Sequence, residues 1–136
     1  MLKSVKLGKE IEVTAANKVG VLADISNLVS GKGINVEAVV GYVREDKKEA
    51  DIMFLTGDNR STMDLLAKSG YKARENEVIV IELENKPGAL KDISAKLAQG
   101  GVDIKYIYGT TCAGTCAARM VISTSDNKKA LEALKK

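Results

Sequence analysis

Displacing this chain by 68 positions lays it on itself. Asn17-Lys18-Val19-Gly20-Val21-Leu22-Ala23-Asp24-Ile25-Ser26 falls on Asn85-Lys86-Pro87-Gly88-Ala89-Leu90-Lys91-Asp92-Ile93-Ser94. The same ungapped register matches Gly33 with Gly101, Gly41 with Gly109, Thr56 with Thr124, Asp58-Asn59 with Asp126-Asn127 and Leu66 with Leu134. The chain has 136 residues, so it reads as two copies of one unit, 1–68 and 69–136. A unit that small must close a core from very few elements, and whatever it builds is built twice.

Both copies give the same local reading. Ile11, Val13 and Ala15 alternate with polar neighbours, and Ile79, Ile81 and Leu83 do the same, which predicts strands with one buried face. An Asn-Lys-Xaa-Gly turn follows. Leu22, Ile25 and Val29, and likewise Leu90, Ile93 and Leu97, then recur at three- and four-residue spacing as the apolar stripe of a helix. Gly31 and Gly33, or Gly100 and Gly101, end that helix. Two alternating strands come next, 34–44 and 50–56 or 102–112 and 118–124. Asp58 and Asp126 are placed to cap a second helix carrying Met63 and Leu66, or Leu131 and Leu134.

Strand, helix, strand, strand, helix is one strand short of a ferredoxin-like unit. Residues 71–75 can close the first copy, leaving 2–7 to close the second. Alternatively, each copy carries its extra strand in front as a hairpin. Gly8 aligns with Asn76, two residue types that tolerate a left-handed backbone, and this coincidence favours the hairpin.

Composition removes several functions. The chain has no histidine, which excludes Ser-His-Asp and Cys-His nucleophilic sites and two-His metal sites. Its net charge of +3 is too mild to call for a nucleic-acid or membrane partner. No apolar run reaches membrane-spanning length, and the first residues lack the apolar core of a signal peptide, so a cytoplasmic location is expected. Cys112 and Cys116 flank a short hairpin loop; a disulfide across it is conceivable, but with no third or fourth ligand nearby reduced, inert thiols are expected and no metal or cofactor. No nucleophile is paired with a base, and no enzyme activity is expected.

The run from the apolar strand through Asn85-Lys86-Pro87-Gly88 and Ala89-Leu90 to Gly101-Val102-Asp103-Ile104, together with its echo in the first copy, resembles the ACT domain, the small-ligand regulatory module of amino-acid metabolism. Two copies and little else resemble the stand-alone tandem ACT proteins. The resemblance implies an α+β fold: two βαββαβ units side by side, each an antiparallel sheet with helices on one face. It also implies an amino acid held where units meet, and regulation by contact with a metabolic enzyme or transporter. The family's turn positions fall on Asn17, Gly20, Val21 and Leu22, and on Asn85, Lys86, Pro87, Gly88, Ala89 and Leu90. The polar residue opening the second strand falls on Asn35 and Asp103. Pairing across units would set Asn17 near Asp103 and Asn85 near Asn35.

These residue types suit a zwitterion. A helix N-terminus offers unpaired N–H groups and a positive dipole end to a carboxylate. Gly20 or Gly88 keeps side-chain bulk off the backbone there. Asn offers donor and acceptor, and Asp103 accepts from an ammonium more strongly than Asn35. Val19 stands where the second copy has Pro87, so the Asn85 turn is the better pre-organised. Without a ligand, the same Asn residues serve as turn or N-cap amides.

Strand parity puts Tyr106 and Tyr108 with Val102 and Ile104 on the core face. It leaves Val39, Val43, Met53, Val80, Ile107 and Val121 on the opposite face, an apolar surface that predicts a second sheet on top and hence a homodimer. An RNA-binding reading needs exposed aromatics on the central strands, which offer only inward Phe54. The leading function is therefore an amino-acid sensor. Its alternative is a ligand-free oligomerisation module of the same fold.

Overall fold

The computed structural model describes residues 2–111, 114 and 116–136. Ten elements follow one another: β1 (Leu2–Ala16), α1 (Val21–Ser30), β2 (Val36–Val43), β3 (Glu49–Thr56), α2 (Asn59–Lys68), β4 (Lys72–Leu83), α3 (Ala89–Gln99), β5 (Ile104–Thr110), β6 (Ala118–Thr124) and α4 (Asn127–Lys135). They gather into two compact units. One, the contiguous unit, is Lys9–Asn76; the other, the composite unit, is Met1–Gly8 with Glu77–Lys136.

This division corrects the hairpin expectation. β1 and β4 run without a turn through Gly8 and Asn76, and neither residue has a positive φ. Residues 72–76 close the contiguous unit, and residues 2–8 close the composite one. The two residue types have other reasons to be there. A Cβ on Gly8 would sit 3.1 Å from the Val80 Cγ2, so glycine permits a close side-chain approach. The Asn76 amide donates to Glu10 at 3.0 Å and to Glu12 at 2.8 Å.

Within the contiguous unit the strand order is β2-β3-β1-β4, and within the composite unit it is β1-β4-β6-β5, with β3 antiparallel to β1 and β2, and β6 antiparallel to β4 and β5. Each is the βαββαβ arrangement, with one strand of the composite unit drawn from the start of the chain. The contiguous core joins Ile11, Val13, Ile52 and Phe54 of the sheet to Val21 and Ile25 of α1 and Leu66 of α2. The composite core joins Ile79, Ile81, Leu83 and Ile122 to Ala89, Ile93 and Leu97 of α3 and Leu134 of α4, with Leu2 and Val5 packed against it. Burying these side chains against a helix layer is the main favourable term for so small a unit.

The helix stripe starts one residue earlier than its sequence spacing suggests. Val21, Ile25 and Val29 are buried in α1, whereas Leu22 is 54% exposed; Ala89 replaces Leu90 in the same way. The second helices are capped as expected, Asp58 accepting from the Ser61 N–H at 3.1 Å and Asp126 from the Lys129 N–H at 3.1 Å.

A bulge at equivalent places in β2 and β5 overturns the parity argument. The pairing slips between Val36 and Ala38, and between Ile104 and Tyr106. One extra residue sends every later side chain to the other face. Val39 lies opposite Phe54 and Ile107 opposite Ile122, so both face the helices, as does Val43. Tyr106 and Tyr108, stacked with ring centroids 6.4 Å apart, lie instead on the open face with Val121. Met53, Val80 and Val121 do occupy that face, but they are buried. In the contiguous unit that face is mixed: Arg74 donates to Glu12 at 2.9 and 3.0 Å and Thr14 and Arg44 hold Asp51, while Val40, Tyr42, Met53 and Leu55 lie among them. The bulge therefore moves Val39, Val43 and Ile107 off the face that the parity argument gave them, and leaves Met53, Val80 and Val121 on it.

Candidate functional site

The turn after the first strand is the local feature both copies share most strongly, and its geometry is unusual among the helix starts. α1 and α3 begin at glycines in the left-handed region, Gly20 at φ 97° and Gly88 at φ 92°, with no side chain capping either helix. An L-residue with a Cβ rarely adopts that backbone. The first-turn N–H groups of a helix have no partner within the helix. At α2 and α4 an aspartate supplies one; at α1 and α3 no side chain does.

Asn17 is not the cap that a ligand-free reading allows. Its side-chain amide donates to the Lys47 carbonyl at 2.9 Å, and its backbone N–H donates to the Lys48 carbonyl at 2.9 Å. The asparagine thus ties the turn to the loop between β2 and β3, where Lys47 itself is left-handed at φ 60°. Asn85 makes a longer contact to the corresponding loop, 3.5 Å to the Gly114 carbonyl, one position off the repeat register.

In the contiguous unit this turn opens onto a cleft of about 380 Å³ between the start of α1 and the strand β2. Asn17, Lys18, Val21 and Leu22 form one wall; Val39 and Val43, turned to this side by the bulge, form the other. Leu22 and Val39 are both half-exposed, at 54% and 52%, because β2 is the outermost strand of its unit and extends past the helices. A Cβ at Gly20 would meet nothing within 4 Å, so the space before the helix is open.

The other turn is more occupied. Lys86 pairs with Glu84 at 2.7 Å, which holds that carboxyl below its ordinary range, and the Ala89 N–H donates to the Lys86 carbonyl at 3.3 Å. Pro87 does rigidify this turn, yet the N-terminus of α3 already has one N–H engaged.

Asn35 and Asp103 are exposed and open β2 and β5. They lie at the opposite strand end from the turn of their own unit. Ala15 pairs with Ala50, and Ala50 with Val43, so the turn sits at the far end of β2. The eight residues of β2 separate the two by about 25 Å. No single unit brings turn and strand-opening residue together. The cleft residues that sequence reasoning missed, Val39 and Val43, were hidden by the bulge. Of the cysteines, Cys116 is disulfide-bonded, which corrects the expectation of two reduced thiols; Cys112 lies outside the described residues.

Residues 9–67 match the family model of the ACT domain. The matched stretch lies within the contiguous unit and contains its Gly20 turn and the cleft. No curated protein matches. Among solved structures the chain is similar to a protein from Bacteroides thetaiotaomicron, with TM-score 0.87 and 24% identity over 96% of this chain and 88% of that one. It is also similar to the regulatory subunit of aspartate kinase from Thermus thermophilus in its ligand-free form, TM-score 0.67 and 15% identity over 98% and 96% of the two chains. The corresponding subunit from Thermus flavus gives TM-score 0.63 and 19% identity over 98% and 96%. At these identities the likeness is one of fold. The ACT-domain match and these structures agree on an α+β architecture of antiparallel sheet and helices.

Proposed function

We propose that the protein is an amino-acid sensor whose ligand carboxylate is received by the uncapped N-terminus of α1, and that it regulates a partner protein by contact. The observation that carries this reading is the contrast between helix starts. Two are closed by aspartates, while Gly20 leaves the α1 start uncapped and opening onto a cleft of about 380 Å³. That volume suits a free amino acid, with Asn17 and Lys18 at the polar rim and Leu22, Val39 and Val43 against its side chain. A residue such as Asn35 or Asp103 completes the site only from a different copy of the fold, since its own unit holds it a strand length away. The regulated partner, by analogy with the aspartate kinase regulatory subunits of like fold, is a metabolic enzyme.

Thermal unfolding against the twenty amino acids tests the reading. A ligand well above its dissociation constant raises stability by RT ln(1 + [L]/Kd). A rise with one or a few small amino acids is expected; a flat response to all twenty overturns it. The ligand-free alternative is favoured by a specific observation, the exposed apolar strip of Val36, Val39 and Val43 on β2. Under that alternative the strip serves self-association alone.

A further inference from the structure

The repeat makes each unit a control for the other, and one pair of equivalent places differs sharply. In the contiguous unit Tyr71 packs against the core beside Leu28, and its hydroxyl donates to the Asp24 carboxylate on α1. The 68-residue register sets Lys3 at the Tyr71 position, Lys96 at the Leu28 position and Lys135 at the Ala67 position, while Asp92 stands where Asp24 does.

The composite unit accordingly holds an open cleft of about 610 Å³ at this place, lined by Lys3, Lys96, Lys135 and Asp92. Its apolar lining is Leu2, Val5 and Ala95, over the buried Ile93 and Leu134. Three lysines and one aspartate line it, and none of the four forms an ion pair among the described residues. Where the contiguous unit carries an aromatic ring and an aliphatic side chain, the composite unit carries lysines at the rim of a cleft.

We infer that this cleft binds a small organic dianion, its charged ends on Lys3, Lys96 and Lys135 and its carbon skeleton against Leu2, Val5 and Ala95. Dicarboxylates and organic phosphates share that chemistry. Asp92 discriminates against more highly charged anions and accepts from a ligand hydroxyl or ammonium. The site is separate from the Gly20 cleft, lies in the other unit and does not depend on the amino-acid reading.

The test is titration calorimetry of the full chain with glutarate, glycerol 3-phosphate and inorganic sulfate, alongside amide shift mapping. Saturable binding of one organic dianion is expected, with shifts at residues 2–5, 92–99 and 134–135. Which of the two binds separates the dicarboxylate from the phosphate source. The variant Lys3→Tyr/Lys96→Leu installs the residues that the contiguous unit tolerates at these positions. It should weaken binding by about tenfold or more through the loss of charge-assisted contacts. Lys3→Gln/Lys96→Gln, which removes charge without filling the cleft, should do likewise and covers the case in which the first variant fails to fold. Failure of both organic anions to bind, sulfate binding as well as either, or undiminished binding by a folded variant would overturn the assignment.

Discussion

Arg44 holds Asp51 by two parallel hydrogen bonds, Nε to Oδ2 at 2.8 Å and Nη2 to Oδ1 at 3.0 Å, on the open face of the contiguous unit. Asp51 is almost fully buried, and Thr14 donates to it at 2.8 Å. The arginine's hydrogen bonds hold the Asp51 carboxyl below its ordinary value, the Thr14 hydroxyl adding to the effect against the cost of burial. A depressed folded-state pKa adds stability that is present above the unfolded value, about 4, and is lost as pH falls through the lower folded value. Acid titration of wild type should therefore show stability falling below about pH 4. Arg44→Ala should lower stability at neutral pH by denaturant unfolding, because it leaves the buried Asp51 carboxylate without its two-pronged partner. Arg44→Lys should recover only part of this, because an ammonium cannot make the two-pronged contact.

Gly20→Ala tests the turn. With open space around the position, a methyl group meets no obstacle, and the cost comes from holding a residue with a Cβ at φ 97°. A loss of about 1 kcal/mol in folding stability is expected. Under the proposed function, the amino-acid-induced rise in unfolding temperature should disappear in this folded variant. An undiminished rise would place the ligand elsewhere.

The strand exchange makes a prediction about fragments. A peptide of residues 9–76 contains every strand and helix of the contiguous unit and should fold alone, with cooperative thermal unfolding. A peptide of residues 77–136 lacks the strand that supplies Leu2 and Val5 to its core and should remain poorly ordered. Adding residues 1–8 by a linker should restore it. Equal folding of both fragments would contradict the exchange.

Self-association, if it follows the exposed edge, depends on Val39 and Val43, which are 52% and 49% exposed. Under the ligand-free alternative, sedimentation at micromolar concentration should give the mass of a homodimer. Val39→Lys/Val43→Lys should give the monomer, since like charges along an edge strand oppose pairing. A wild-type monomer would remove the dimer from the reading.

Much of the fold was legible because local rules and the repeat agreed. Alternation marked the strands around Ile11 and Ile79, the three-and-four spacing marked both first helices, and Asp58 and Asp126 announced the second ones. The candidate turn was legible for the same reason: Asn-Lys-Xaa-Gly occurs twice at one register. The bulges were not legible, because a bulge is chosen by how two strands pair and leaves no signature in a run such as Val36–Val43. Parity counted through it placed Val39, Val43 and Ile107 on the wrong face.

What the amino-acid sequence determined by itself was the unit and its doubling, the class of its elements and the glycine corners, all consequences of short-range sterics and hydrophobic period. Which strand closes which unit, which face the edge residues present and which of two equivalent clefts stands open were decided by tertiary structure. Those outcomes turn on contacts between residues far apart in the chain: Asn76 with Glu10 and Glu12, Tyr71 with Asp24, Val39 opposite Phe54. Pairing energies of that kind exist only once the chain has closed on itself.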